Sequence, residues 1–386
     1  MPQTIRVPPA PTKTPSTSAR KPPLPALSGL RTVLAINVMF FHFTPPHPNF
    51  LTTVISNAYV FVGFFFLISG FVLAYNYGDL PTLSKRAFYV ARFARVYPVY
   101  LLVLLLSVPF LKLEYEAQTH SDFWRGVVLT PLTLQGWSPS LATFWNTVGW
   151  TVPAELTLYA LFPLLLRVFA ANDRRLATSG RVVLAILGLW IVGIIPHLLY
   201  FFLNPDHLPG AATRFTYGFW LRALKYTPIA YVCTFSAGIL LARLNKLLGP
   251  ATALRRGLMA LGALVGLAWF FASAVDRIPY VLVHGSLLLP LFCLLLLGLS
   301  TPSPVAAIFS WRPLVLFGET TFALYLLHFN AFILIHVYRL PERLHVSEFD
   351  PWISFVAIVL LAAAIRRFYE RPAREFLLRI LSPAKS

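Results

Sequence analysis

Arg31 and His42 are the residues of this sequence whose types and spacing most clearly suggest chemistry. They lie eleven residues apart, and no other charged residue falls between them. Eleven residues are close to three helical turns, so on a helix both side chains project from nearly the same face. At about 1.5 Å per residue, they lie roughly 16 Å apart along the helix axis. Because ionisable groups inside a bilayer are costly, the pair predicts a buried polar track with a functional role.

The composition indicates that the surrounding elements are membrane helices. Of the 386 residues, 57% are hydrophobic and 12% are charged, with a mean hydropathy of +0.69. That charged fraction is about half the value typical of a soluble domain. Apolar runs such as 101–108 and 287–299 are too long for one soluble core to cover. We therefore predict an all-α polytopic membrane protein.

Apolar runs and chain breakers predict about ten transmembrane helices and three regions of the chain. The predicted spans are 27–44, 53–77, 93–111, 148–169, 181–203, 226–243, 257–274, 279–300, 313–338 and 351–368. Residues 112–147 contain three tryptophans but no clean span, and we interpret them as an interfacial or re-entrant excursion. The Pro-rich segment 1–26 is predicted to be a disordered cytoplasmic tail. Residues 27–376 form the predicted transmembrane domain, and 377–386 a short C-terminal cytoplasmic tail.

The basic residues predict the orientation of these spans. With the N-terminus in the cytoplasm, 24 of the 32 Lys and Arg residues fall on the cytoplasmic side. The positive-inside rule gives this bias when both termini are cytoplasmic. We therefore expect a multi-pass protein of the cell membrane, in contact with its lipids. Nucleic-acid binding is not expected, because the basic residues are spread over six segments and form no single groove.

Six segments, in order along the chain, resemble the acyltransferase 3 family of integral membrane proteins. They are GLRTVLAINVMFFHF (29–43), FFFLISGFVLAYNY (64–77), RFARVYPVYLL (92–102), WTVPAELTLYALFPLL (150–165), FGETTFALYLLHF (317–329) and YERPAR (369–374). The likeness covers nearly the whole chain outside the tail. The chain departs from the family where Gly63 replaces an Asp or Ser, and where Pro153 and Ala154 replace polar residues before Glu155.

The resemblance implies an enzyme that moves an acyl group, often acetyl from acetyl-CoA, to a hydroxyl. The implied acceptor is a cell-envelope carbohydrate, a lipid-linked glycan or a related small molecule. Acyl-CoA would be a co-substrate, with no tightly bound cofactor and no metal. Cys233 and Cys293 fall inside predicted spans, so neither a disulfide nor a thiol metal site is expected. The oligomeric state stays open.

Such a transfer needs a base that removes the proton from the hydroxyl. His42 is the candidate, because a neutral imidazole titrates near physiological pH. Glu155 would orient His42 and stabilise the imidazolium, as the carboxylate of a catalytic triad does. Counting from helix ends puts His42, Glu155 and His328 at similar depth in the outer half of the membrane. His328, Ser69 and Tyr325 are the predicted supporting residues.

Arg31, Arg92 and Arg95 are expected to cluster at the cytoplasmic end of the spans. Arg92 and Arg95 are three residues apart and share a helix face. Because a guanidinium binds phosphate bidentately, these arginines could hold the nucleotide phosphates of CoA. The pantetheine arm would then run inward toward His42.

Each candidate also has a purely structural interpretation. The arginines could be topology anchors, Glu155 could satisfy helix-end amides, and His328 could be a packing residue. Ser69-Gly70 could allow close helix contact. A proton-coupled transporter of a small polar substrate is the alternative function, although such proteins usually show internal repeats that this sequence lacks. A non-catalytic scaffold would need no ionisable residues at depth.

Overall fold

The computed structural model describes residues 21–43, 49–78, 83–249 and 252–381, and over these residues it is helical with no strand. The predicted all-α architecture is therefore confirmed. The α-helices are α1 (Pro25–Phe41), α2 (Phe50–Ser56), α3 (Val60–Tyr77), α4 (Lys85–Leu106), α5 (Phe110–Ala117), α6 (His120–Leu129), α7 (Thr151–Ala171), α8 (Ser179–Leu203), α9 (Phe219–Tyr226), α10 (Val232–Leu247), α11 (Ala253–Trp269), α12 (Tyr280–His284), α13 (Leu289–Leu299), α14 (Pro304–Phe309), α15 (Arg312–Gly318), α16 (Thr321–Val337), α17 (Leu340–Arg343), α18 (Trp352–Ile365) and α19 (Arg371–Leu381). The predicted tails lie outside the described residues up to residue 20 and beyond residue 381.

Within the described residues, eight helical segments are long and apolar enough to cross a membrane. They are α3, α4, α7, α8, Pro228–Leu247, Ala253–Arg277, Tyr280–Leu299 and Trp352–Leu381. The pair α15 and α16, bent by 72° at their junction, would make a ninth. A helix suits this environment because it satisfies its own backbone hydrogen bonds where lipid offers none. Each of the ten predicted segments overlaps one of these elements or α1, which has 17 residues. The count of ten and the cytoplasmic termini stay predictions.

The region 112–147 has no helix of membrane-spanning length within the part of the chain that the structure describes. It folds as α5, α6 and an irregular segment that continues to the start of α7. The Asn146 side chain donates to the carbonyl of Leu326 at 3.0 Å, and Asn330 donates to the carbonyl of Trp145 at 2.9 Å. These reciprocal amide bonds fix the irregular segment to α16, where His328 lies.

Close helix contacts hold the helices that bear the candidate residues. Gly70 of α3 and Gly238 of α10 face each other's helices, and a Cβ on either would collide with backbone of the opposite helix. Small residues allow such approach in membrane proteins. Gly70 therefore allows the close helix contact that the structural interpretation of Ser69-Gly70 predicts. On α1, the Thr32 hydroxyl donates to the carbonyl of Leu314 at 2.6 Å, which sets α1 against α15.

Candidate functional site

His42 directly follows α1 and lines a cavity of about 520 Å³, which we call the histidine cavity. The walls are mainly aromatic, with five nitrogen-bearing side chains among them. The polar and aromatic lining residues are Phe41, His42, Phe43, Tyr59, Thr147, Trp150, Arg214, Phe215, Tyr217, Lys225, Tyr226, Tyr280, His284, Tyr325 and Phe329. Mostly apolar walls with a few polar groups are typical of small-molecule sites.

The imidazole of His328 lies beside that of His42. Their ring centroids are 5.2 Å apart, and Phe329 closes the other side of His42 at 5.0 Å. His328 is 1% exposed, and its Nδ1 lies 2.7 Å from the carbonyl oxygen of Tyr325. Nδ1 must carry the proton to donate there, so Nε2 of the neutral ring is an acceptor. Nε2 is buried and has no hydrogen-bond partner within the described residues.

Glu155 lines a second, smaller cavity of about 60 Å³, which we call the arginine cavity. Its polar lining residues are Arg31, Ser69, Thr151, Glu155, Thr321 and Tyr325. The carboxylate accepts a hydrogen bond from the hydroxyl of Tyr159, one turn along α7. Among the described residues it makes no hydrogen bond to His42 and caps no helix-end amide. The structure thus places Glu155 beside Arg31, and the expected contact with His42 is not formed.

Tyr325 lines both cavities, and we call the two cavities with their polar lining the polar track. Arg31 of α1 lies in the smaller cavity, and His42, which directly follows α1, lies in the larger one. Ser69 lines the smaller cavity, and His328 contacts His42. The supporting residues named from the sequence therefore all lie along this track.

Arg92 and Arg95 continue the track on α4. The Arg92 guanidinium lies about 6 Å from the ring centres of Tyr77, Phe88 and Tyr159. Arg95 is an electrostatic neighbour of Tyr159 and of Glu155. The Nε atoms of Arg31 and Arg92 are buried and have no hydrogen-bond partner in the described part of the chain. Guanidinium donors left unpaired in this way are available to an anionic ligand.

The last two family-like segments meet in an ion-pair network. Arg366 contacts Glu319 at 3.1 Å and Glu370 at 2.9 Å, and Arg371 contacts Glu319 at 3.0 Å. Glu319 follows α15, whereas the arginines lie at the junction of α18 and α19. The network joins these helices. Glu319, Glu370 and Arg371 of the two family-like segments therefore have a structural role.

Sequence reasoning missed five residues that line the histidine cavity: Arg214, Lys225, Tyr226, Tyr280 and His284. Most belong to the loop before α9 and to α9 itself, a segment with no membrane-span signal. The signal that could have found them is the density of basic and aromatic residues in 214–226, RFTYGFWLRALKY.

Comparison with known families gives one match, to the family described as "Acyltransferase domain", over residues 24–365. Among curated proteins, Acyltransferase MdmB of Streptomyces mycarofaciens is 30% identical over 155 residues, 38% of this chain and 40% of its own length. The "Putative O-acetyltransferase SACOL0978" of Staphylococcus aureus strain COL is 23% identical over 376 residues. O-acetyltransferase OatA of Staphylococcus aureus strain NCTC 8325 is 21% identical over the same length.

Coverage differs between this chain and its relatives. The two staphylococcal matches cover 91% of this chain and 57% of the relatives' own length. The chain therefore spans little more than half the length of those proteins. No solved structure matches this chain.

Proposed function

This chain belongs to the acyltransferase 3 family, and from that premise we propose that it is an integral membrane O-acyltransferase. It moves an acyl group, acetyl in the first instance, from acyl-CoA to a hydroxyl of a cell-envelope carbohydrate or related acceptor. The observation that supports this most directly is the placement of His42. An imidazole with a second imidazole beside it lines a cavity of about 520 Å³, a volume typical of small-molecule sites.

In the proposed reaction, His42 removes the proton from the acceptor hydroxyl. The hydroxyl oxygen attacks the thioester carbonyl carbon, and the new C–O bond forms as the C–S bond breaks. The leaving thiolate of CoA takes the proton back from the His42 imidazolium, which restores the neutral base. General base catalysis of this kind contributes about 10²–10⁴-fold to rate.

We assign the orientation of His42 to His328. With its Nδ1 proton committed to the Tyr325 carbonyl, His328 offers Nε2 as an acceptor beside His42. A small ring rotation would let His42 donate its own N–H to that nitrogen. The other nitrogen of His42 would then be unprotonated and free to act as the base.

Glu155 is given an electrostatic role in this proposal. It lies beside Arg31 and within electrostatic range of Arg95. Its negative charge offsets part of the cost of burying these guanidinium groups where lipid surrounds the bundle. Glu155 would thus position the arginines, and Ser69 and Tyr325 would line the passage between the two cavities.

The donor is proposed to bind through Arg31, Arg92 and Arg95. The unpaired donors on Arg31 and Arg92 support phosphate binding, since guanidinium groups hold phosphate bidentately. The pantetheine arm would pass through the arginine cavity to bring the thioester to His42. At about 60 Å³ this passage is narrow, so entry requires side chains such as Tyr325 to move.

We propose the same orientation as the charge bias predicts, with ten spans, both termini cytoplasmic and the protein in the cell membrane. The three arginines then face a cytoplasmic acyl-CoA pool, and the histidine cavity opens toward the outer side. This arrangement would let a cytoplasmic donor meet an acceptor reached from outside or from the membrane.

A proton-coupled transporter is the second candidate, because Arg31 and Glu155 in one cavity and the His42–His328 pair at the other could also relay protons. One experiment separates the two. The protein, purified into nanodiscs, is incubated with labelled acetyl-CoA and a mixture of envelope glycans, and released thiol and glycan label are measured. Acceptor-dependent thiol release supports the enzyme. Its absence, together with proton-coupled flux in proteoliposomes, supports the transporter.

A further inference from the structure

One wall of the histidine cavity holds two cations, Arg214 and Lys225, that the proposed acyl transfer does not use. Lys225 lies on α9 and Arg214 on the loop before it; both line the cavity, and Arg214 is an electrostatic neighbour of His42. The positive charges of Arg214 and Lys225 therefore have no role in the proposed acyl transfer.

Lys225 is 4% exposed, and within the described parts of the chain its ammonium makes one hydrogen bond, a 3.1 Å donation to the carbonyl of Arg214. An ammonium has three donors, and a lysine is rarely buried to this degree unless it is paired. The rings of Tyr226 and Tyr280 lie 5.4 and 5.5 Å from Nζ and supply cation–π contact. They do not neutralise the charge.

Arg214 is held at the same wall by neutral groups. It donates to the carbonyl of Ser56 at 3.0 Å, and its guanidinium lies 5.0 Å from the ring of Phe41 and 4.6 Å from that of Phe215. Neighbouring Arg222 differs, because it is turned to the carbonyls of Pro139 and Ser140 at 2.6 and 2.7 Å. Arg214 and Lys225 therefore face the cavity, whereas Arg222 ties α9 to the adjacent segment.

The described residues that line the histidine cavity include no aspartate and no glutamate. Asp276 is an electrostatic neighbour of Tyr59 but is not part of the lining. Two buried or half-buried cations thus share a cavity without a protein carboxylate. Buried charges in proteins are normally paired, so the missing partner is best supplied by the ligand.

We propose that the histidine cavity binds a hydroxylated acceptor that carries an anionic group, a carboxylate or a phosphate, held by Lys225 and Arg214. This inference rests on the proposed function, in which the same cavity holds the acceptor. With its anion at Lys225 and Arg214, the sugar would lie among the aromatic side chains, with a hydroxyl turned toward His42. Acceptors without the anionic group would bind in the same cavity but more weakly.

The test measures binding of matched probes to the full chain in nanodiscs of zwitterionic lipid, without donor. One pair is p-nitrophenyl β-D-glucuronide and p-nitrophenyl β-D-glucoside, which differ in a carboxylate. The other is glucose 6-phosphate and glucose, which differ in a phosphate. We expect the charged member of at least one pair to bind about tenfold more tightly or better, as charge-assisted hydrogen bonds do. The pair that shows the preference identifies the anion.

Three variants test the assignment to residues. Lys225→Gln and Arg214→Gln should each reduce the preference for the charged probe to about threefold or less. Lys112→Gln, on an exposed lysine of α5, is the matched control and should keep the wild-type preference. Equal wild-type affinity for both members of both pairs would overturn the proposal, whatever the variants do.

Two further measurements separate this proposal from its premises. If CoA displaces the charged probe competitively, and Lys225→Gln weakens CoA binding more than probe binding, the cavity belongs to the donor and the acceptor assignment is overturned. If the charged preference holds but labelled acetyl-CoA is never consumed, the anion site stands and the acyltransferase proposal fails.

Discussion

The imidazoles of His42 and His328 lie with their ring centroids 5.2 Å apart, although 286 positions separate them in the sequence. His42 faces the larger cavity, and His328 is fully buried behind it with its Nδ1 committed to a backbone carbonyl. The candidate base, His42, therefore lies beside a second imidazole, that of His328, whose tautomer is defined. The predictions below depend on this pairing and on the arginines that follow it along the track.

Replacing His328 should slow the chemical step more than it weakens substrate binding. We expect His328→Ala to reduce kcat by about 10- to 100-fold, less than loss of the base itself, with little change in the KM of acetyl-CoA. His328→Gln, which keeps a hydrogen-bond acceptor, should recover part of that loss. The pH–rate profile of His328→Ala should also shift, since the base has lost its neighbour. If His328 only packs, His328→Ala would lower protein stability. The pH–rate profile of the protein that still folds would then be unchanged.

Glu155→Gln distinguishes the arrangement found here from a triad-like one. Because Glu155 is proposed to position Arg31 and Arg95, removing its negative charge should disturb the donor site, and the KM of acetyl-CoA should rise severalfold. The loss in kcat should be smaller than that of His42→Ala, measured in the same steady-state assay. An equal loss in kcat with an unchanged donor KM would instead indicate that Glu155 orients the base.

Arg92→Gln and Arg95→Gln should each raise the KM of acetyl-CoA by about tenfold or more, because each removes a guanidinium available to phosphate. The KM of the acceptor should change little. Arg86→Gln is the matched control, since Arg86 is an exposed arginine at the start of the same helix α4. An unchanged donor KM in both site variants, measured over a range of ionic strength, would remove these arginines from the donor site.

The affinity for an anionic probe should fall as pH rises. Burial, assisted by the charge of Arg222, lowers the pKa of Lys225 to about 8. Lys225 therefore loses its positive charge as the pH passes upward through this value, and the preference for the glucuronide should decline between pH 7 and 9.5. The other ionisable groups packed around it are Arg214, Tyr226, Tyr280 and His284.

Lys225→Arg supplies the control for that pH dependence. Arginine stays charged throughout the range, so this variant should keep the preference for the glucuronide at pH 9.5. A wild-type preference that grows with pH, or a decline that Lys225→Arg does not prevent, would mean that another group controls the affinity.

The sequence was sufficient to predict the helical membrane architecture and the candidate residues on α1. Long apolar runs determine where helices form, and helical periodicity predicts that Arg31 and His42 share one face. The depth of a residue in the membrane can be counted from a helix end, so the similar depth of His42 and His328 was also available from the sequence.

Partners across the bundle could not be predicted in the same way. Depth gives one coordinate, whereas contact also depends on how each helix is rotated and which helices are adjacent. Glu155 was expected beside His42 for its depth, but α7 turns it toward Arg31 and Tyr159. Lys225 and Arg214 could not be predicted, because loops and short helices show no periodic pattern of hydrophobic residues.

The most direct test of the account is transfer of labelled acetyl from acetyl-CoA by wild type and His42→Ala, side by side in nanodiscs with an envelope-glycan acceptor. His120→Ala, at an exposed histidine of α6, controls for loss of a histidine as such. We predict that wild type and His120→Ala transfer label at similar rates, whereas His42→Ala is slower by about 10²–10⁴-fold. A transfer rate of His42→Ala within about threefold of wild type would contradict the account. Loss of a general base reduces the rate far more than that.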